Sequence, residues 1–211
     1  MENESAMNNL WLDWAREIQA LSQTGLAFAQ TDYDKQRYTR LTEIAAEIVD
    51  NYSNLDKEVI VKSFLSHPGY ATPKIDVRAA VICNGKILLV HEKSDNLWAM
   101  PGGWADVGDT PSGVVIRETK EESGFDVIPK KVIGVFDANR SGRPLEFFHA
   151  FKIIFLCELT GGEAQASDET HGAEFFDFES LPQLSPNRTN ERHLNEIKAH
   201  LANPNKPTYF D

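Results

Sequence analysis

The stretch from Gly102 to Phe125, GGWADVGDTPSGVVIRETKEESGF, constrains this chain more than any other. Two glycines open it, a short loop reaches Asp109, and a helix follows. Thr110 suits the N-cap, Pro111 the first helical position, and Gly124 the left-handed residue past the end. Inside the helix stand Arg117, Glu118, Glu121 and Glu122. At about 100° per residue, the three glutamates fall within an arc of roughly 100°. Glu118 and Glu122 are four apart and therefore neighbours, as are Arg117 and Glu121, which can pair. Like charges at this spacing repel, so the face suits a surface helix poorly unless a hard cation lies above it. Mg²⁺ takes oxygen ligands and is often completed by substrate phosphates. A solvated acidic helix is the plain alternative. The Gly-Gly turn, the spacing and the apolar strands upstream favour the cation.

The same residues resemble the Nudix box, G-x5-E-x7-R-E-U-x-E-E-x-G-U, where U is a bulky apolar residue. Gly103, Arg117, Glu118, Glu121, Glu122, Gly124 and Phe125 fit it. Asp109 stands where the box has Glu, one methylene shorter. Thr119 stands at a U position, off the acidic face, where it bears on packing. The resemblance implies an α/β/α sandwich with a mixed sheet over residues 75–205. It also implies a pyrophosphatase that uses Mg²⁺ or Mn²⁺. The ligand set is then Glu118 and Glu122, with Glu121 and the Gly102 carbonyl completing it. Arg117 and Glu121 count as catalytic, although their pairing can instead serve only to orient the helix. The family's general base is a box glutamate or an acidic residue of a later loop. The loop here is AQASDETHGAE, and Glu169 is the choice, with Asp168 and Glu174 behind it. A simply solvated loop is the alternative. His91, His149 and His171 show no metal-ligand spacing.

Composition bounds the partners. The 211 residues carry a formal net charge of −11, against a broad nucleic-acid surface and hence against an RNA-end hydrolase. A small nucleotide remains compatible. Cys83 and Cys157 lie in apolar strand-like runs and suggest reduced core residues. No apolar run reaches the length of a membrane span. The start, MENESAMNNLWLDW, lacks a signal-peptide pattern. A cytoplasmic protein is expected.

Two domains are expected: residues 1–70, helical and dimerising, and residues 71–211, the hydrolase domain. Leu10, Trp11, Trp14, Ile18 and Leu21 recur at helical spacing, and Gly25 weakens that helix near its end. Tyr38, Leu41, Ile44, Ala45 and Ile48 mark a second helix. Val59, Ile60 and Phe64 mark a short third one over 55–66. The linker SHPGYATPK follows. Strands are expected at 76–82 and 86–92, joined by an Asn84-Gly85 hairpin turn. Further strands are expected at 98–101, 131–136, 147–159 and 173–178. Residues 163–172 form a polar loop and 189–202 a last helix. The tail NPNKPTYFD either wraps a surface or is loose.

Beyond the box, the N-terminal LWLDWAREIQALSQTGLAF, the joint GYATPKIDVRAAV and the endings LPQLSPNRTNE and PTYFD resemble Gram-positive bacterial CDP-choline pyrophosphatases. That branch implies cleavage to CMP and phosphocholine by a homodimer. ADP-ribose is the alternative substrate, and a non-catalytic nucleotide sensor the alternative class. All three glutamates of the metal face are present, which favours the enzyme. Candidate substrate contacts are Trp104, Arg140 and Phe148, with Phe147, Tyr209 and Phe210 as further aromatic faces for a quaternary ammonium.

Overall fold

The computed structural model describes residues 10–52, 58, 60–62, 69–138 and 149–211. It divides into two compact units, Met1–Pro73 and Lys74–Asp211. Among the described residues no helix is long and apolar enough to cross a membrane.

The first unit is an α-hairpin of α1 (Leu10–Phe28) and α2 (Asp32–Tyr52). Its buried face differs from the expected one. The helices meet through Leu12, Ala15 and Ser22 on α1 and Thr42, Ala45, Ala46 and Val49 on α2. Small side chains thus supply much of the contact, beside Leu12 and Val49. Gly25 does not end α1. The Tyr38 ring lies where its Cβ would be, 2.3 Å away, so the missing side chain admits the second helix. Trp14, Leu21 and Phe28 are left exposed. Ile60 is buried, whereas Val59, Phe64 and most of the expected third helix lie outside the described residues.

The second unit is a mixed sheet with a helix on each face. Its strands are β1 (Lys74–Cys83), β2 (Lys86–Glu92), β3 (Trp98–Ala99), β4 (Gly102–Trp104), β5 (Phe125–Asp137), β6 (Ala150–Gly162), β7 (Thr170–Phe176) and β8 (Tyr209–Phe210). The main order is β3-β2-β1-β6-β5-β8, with β4 on β1 and β7 on β2. β1 runs parallel to β6 and antiparallel to β2. Asn84 and Gly85 both take positive φ, 51° and 78°, as a tight hairpin turn requires.

Alternation along the strands divides the core. Val77, Ala79, Val81, Leu88 and Val90 pack under α3 (Pro111–Ser123), against Val114 and Val115. Ala80, Ile87, Leu89, Ile133 and Ile154 pack under α4 (Glu191–Ala202), against Leu194 and Ile197. Burying such layers supplies the main drive for folding. It also fixes which strand residues can face α3.

Two elements depart from expectation, and the tail takes the first of its two expected forms. β5 begins at Phe125, directly after α3, because Phe125 and Asp126 pair with Gly162 and Gly161. β7 begins at Thr170, inside the stretch expected to be loop. The tail is docked: β8 pairs with β5, and Tyr209 stacks on Phe136 at 5.0 Å.

Candidate active site

Local signals place α3. Thr110 accepts the Gly113 N–H at 3.1 Å, Pro111 follows, and Gly124 closes the helix at φ 80°. Thr119 is fully buried and donates to the Val115 carbonyl, consistent with packing.

The two glycines of β4 seat two glutamates. Gly102 has φ 139°, and a Cβ there would lie 2.0 Å from the Val77 carbonyl oxygen. Its N–H donates to Glu122 Oε2 at 2.8 Å. At Gly103 a Cβ would lie 3.1 Å from the Glu118 carboxyl, so the absent side chain gives that carboxylate its place. Glu122 is 5% exposed and Glu118 half-buried.

Arg117 gathers the remaining box charges. Its Nη1 lies 2.7 Å from Glu118 Oε1 and 3.2 Å from Glu121 Oε2. Its Nη2 lies 3.3 Å from Asp109 Oδ2. The shorter Asp109 therefore still reaches the guanidinium, and it also accepts the Asp106 N–H. Glu121 is exposed and turned toward Arg117, apart from the buried pair.

Burial pushes the Glu122 carboxyl up to about 8, helped by Glu92 and Glu118 and opposed by Arg78 and the Gly102 N–H. Burial also raises Glu118, with Glu121 and Glu169 adding to it and Arg117 opposing. Glu92 is raised by burial too, with Asp95 and Glu169 adding and Arg188 and Arg78 opposing. Glu92, Glu118, Glu122 and Glu169 thus share one negative field.

These donors fit a hard divalent cation. They are carboxylate oxygens, one nearly buried, with a guanidinium standing where a cation would neutralise Glu118, Glu121 and Asp109. Among the described residues no three His, Cys, Asp or Glu groups already form a ligand set. Glu118 and Glu121 are instead paired with Arg117.

The expected base loop is a compact turn. The Ser167 hydroxyl accepts the N–H groups of Glu169 and Thr170, both at 3.1 Å. Thr170 Oγ1 donates to the Glu122 carbonyl at 2.6 Å, tying the turn to α3. Asp168 is exposed, and Glu174 is an exposed residue of β7 opposite Leu89. His91 stacks on Trp98, His171 lies beside His91, and His149 pairs with Asp137. Trp104 ends β4, 42% exposed, with the Lys74 ammonium 5.9 Å from its ring centroid. Tyr209 is held by Phe136 and Arg192, and Phe210 is exposed. Asn139, Arg140, Phe147 and Phe148 lie outside the described residues.

Several residues escaped the sequence reading. Glu92 closes an alternation Leu88-Val90-Glu92 at an inward position, which is a legible signal for a buried charge. Asp76 and Arg78 interrupt an apolar strand in the same way and pair at 2.9 Å, with Lys152 3.0 Å from Asp76. Arg78 also donates to the Met100 carbonyl, bracing the approach to the Gly-Gly turn. Arg188 and Thr170 carried no local signal.

A sheet with an acidic helix seated on a Gly-Gly strand defines the Nudix class, and the chain belongs to the Nudix hydrolase family. Residues 73–196 match the NUDIX domain model. Residues 9–64 match a model described as a UDP-X-like N-terminal oligomerisation domain. The Bacillus subtilis (strain 168) protein YjhB, which carries a provisional ADP-ribose pyrophosphatase name, is 41% identical over 95% of this chain and 97% of its own. A Streptococcus suis 89-1591 ADP-ribose pyrophosphatase structure is 37% identical, covers 66% of this chain and all of its own, and has TM-score 0.60. A UDP-X diphosphatase structure is 30% identical across 97% of this chain and 99% of its own, with TM-score 0.62.

Proposed function

We propose that this chain is a pyrophosphatase dependent on Mg²⁺ or Mn²⁺ that cleaves a nucleoside diphosphate joined to a second group. The seating of Glu118 and Glu122 on Gly103 and Gly102 is the observation that carries this reading. Those two carboxylates, Glu121 and the Gly102 carbonyl would hold the cation. When bound, it supplies neutralisation of phosphate oxygens and acidification of a water. Arg117 keeps Glu118 and Glu121 together on the helix before binding. Glu169, on its hydrogen-bonded turn, accepts the proton of the attacking water. An enzyme is favoured over a nucleotide sensor because the acidic face is complete.

CDP-choline is the proposed substrate. Its support is the whole-chain sequence resemblance together with Trp104, an exposed indole already approached by an ammonium, as a choline headgroup would approach it. ADP-ribose is the second reading, supported by the names of the Bacillus and Streptococcus relatives. Steady-state kinetics on both, with one metal, decides between them. A higher kcat/KM for CDP-choline is expected, and W104A should raise KM more for CDP-choline than for ADP-ribose. A higher kcat/KM for ADP-ribose overturns the substrate and leaves the reaction class standing.

The N-terminal helices are proposed to pair two copies of the chain. Trp14, Leu21 and Phe28 recur every seven residues on one side of α1 and are exposed, with Leu10 beside Trp14. Exposed apolar stripes of this kind mark interaction surfaces. Light scattering should give a two-chain mass for the protein and a one-chain mass for W14E/L21E. A one-chain mass for the unaltered protein overturns the dimer.

A further inference from the structure

The turn that carries Glu169 hangs from two anchors. One is α3, through the bond from Thr170 Oγ1 to the Glu122 carbonyl. The other is the end of β2: the Lys93 N–H donates to the Glu169 carbonyl at 2.9 Å, and Lys93 Nζ donates to the Ser167 carbonyl at 2.7 Å. The β2–β7 ladder shifts register here, between the pairs Val90–Ala173 and Glu92–Thr170. Between these pairs His91 of β2 faces two residues of β7, His171 and Gly172. Such a bulge re-aims side chains beside a site, and it leaves Thr170 pointing inward.

What fixes the end of β2 is Arg188. Its Nε meets Glu92 Oε1 at 3.2 Å. Its Nη1 donates to Asp95 Oδ2 at 3.0 Å and to Ser185 Oγ at 3.1 Å, and its Nη2 to Ser94 Oγ at 3.0 Å. Ser185 Oγ in turn donates to Asp95 Oδ2 at 2.6 Å. Three guanidinium hydrogen bonds are thus made within the protein, and Nε is in an ion pair with Glu92. Glu92 is 5% exposed, so its carboxylate has a fixed seat and Arg188 supplies its counter-charge. An arginine engaged this way is a clamp, with little left to offer a phosphate.

Resting on the pyrophosphatase reading with Glu169 as base, we propose that Arg188 and Glu92 are the positioning pair for Glu169. They fix the strand end from which the Glu169 turn hangs. They thereby set where that carboxylate stands relative to Glu118 and Glu122.

The test is a cycle of R188K, E169Q and the double variant, with E92Q as a second entry to the same cycle. R188K keeps the charge and loses the fork. A displaced base of about 1 Å lowers rate by up to roughly 100-fold. R188K should therefore lower kcat by about 10- to 100-fold with KM within about twofold, and E92Q should act in the same direction. In the E169Q background neither should lower kcat further, because no base remains to be placed. Multiplying losses in the double variants would show a merely structural clamp and overturn the proposal. A raised KM with kcat kept would make Arg188 a substrate contact and overturn it as well. If R188K does not fold, the E92Q cycle gives the same decision. Full activity in E169Q removes both the base and its positioning pair. The pyrophosphatase reading stands or falls separately, on loss of activity in E122Q.

Discussion

E122Q should abolish turnover and, with metal chelated, stabilise the protein above pH 8. Glu122 is held by the Gly102 N–H and surrounded by Glu92 and Glu118, and burial raises it to about 8. The unfolded chain ionises it near the ordinary value of 4.5. A carboxyl raised on folding lends stability below its unfolded value, and that stability is lost as pH rises through the folded value. The metal-free wild type should therefore weaken between about pH 4.5 and pH 8. A shift of this size is worth on the order of 5 kcal/mol, an upper limit for the gain in a Gln variant that does not titrate. The Gln oxygen can still accept from Gly102, so the seat is kept. Added Mg²⁺ should raise the unfolding midpoint of the wild type, since a ligand of the folded state stabilises it, and leave E122Q nearly unmoved. Activity should fall by more than the roughly 100-fold that outer-shell changes cause at metal sites. At limiting Mg²⁺, wild-type activity should rise with pH, because the cation competes with the proton held on Glu122. Thermal unfolding in chelator across pH 5 to 9, with and without Mg²⁺, checks this. Equal stability of the two proteins at pH 9 would remove the buried-charge account of the site.

What the sequence made legible was local. Thr110, Pro111 and Gly124 bounded α3 because capping is decided within a few residues. The Asn84-Gly85 turn was legible for the same reason. The glutamate spacing placed Glu118 and Glu122 together because helical geometry leaves little choice. The face of the N-terminal hairpin was not legible. Of the residues read at helical spacing Ala45 does make the contact, but Ala15, Ser22 and Thr42 make it too, and Trp14 faces out. The Tyr38 ring against Gly25 is a tertiary contact that helical spacing alone does not reveal. Arg188 was hidden because its partners Glu92, Ser94 and Asp95 stand more than ninety residues away. The early start of β7 depends on Thr170 reaching Glu122, again a tertiary bond.

The buried charges on β1, beside β4, give the second large stability effect. Asp76 accepts from Arg78 Nε at 2.9 Å and Nη2 at 3.0 Å, and Lys152 Nζ stands 3.0 Å away. All three are nearly inaccessible. Burial alone would raise the Asp76 carboxyl, but Arg78 and then Lys152 outweigh it and hold it at about 2. Its contribution is therefore present above the ordinary value of 3.8 and lost only as pH falls toward 2. D76N removes the one anion between two buried cations and puts amide hydrogens against a guanidinium. Breaking a buried ion pair from one side costs about 3–5 kcal/mol, and D76N should lose that much in urea unfolding at pH 7. The proton linkage of Asp76 covers only part of this loss. The rest is the lost attraction of the Asp76 charge for Arg78 and for Lys152, its neighbour across the β1–β6 ladder. K152M should accordingly change sign with background. In the wild type it strips Asp76 of a partner and destabilises. In D76N it removes a buried ammonium that has lost its Asp76 partner and restores stability. A D76N/K152M protein no more stable than D76N would show that packing at Asp76, and not charge, holds this layer together.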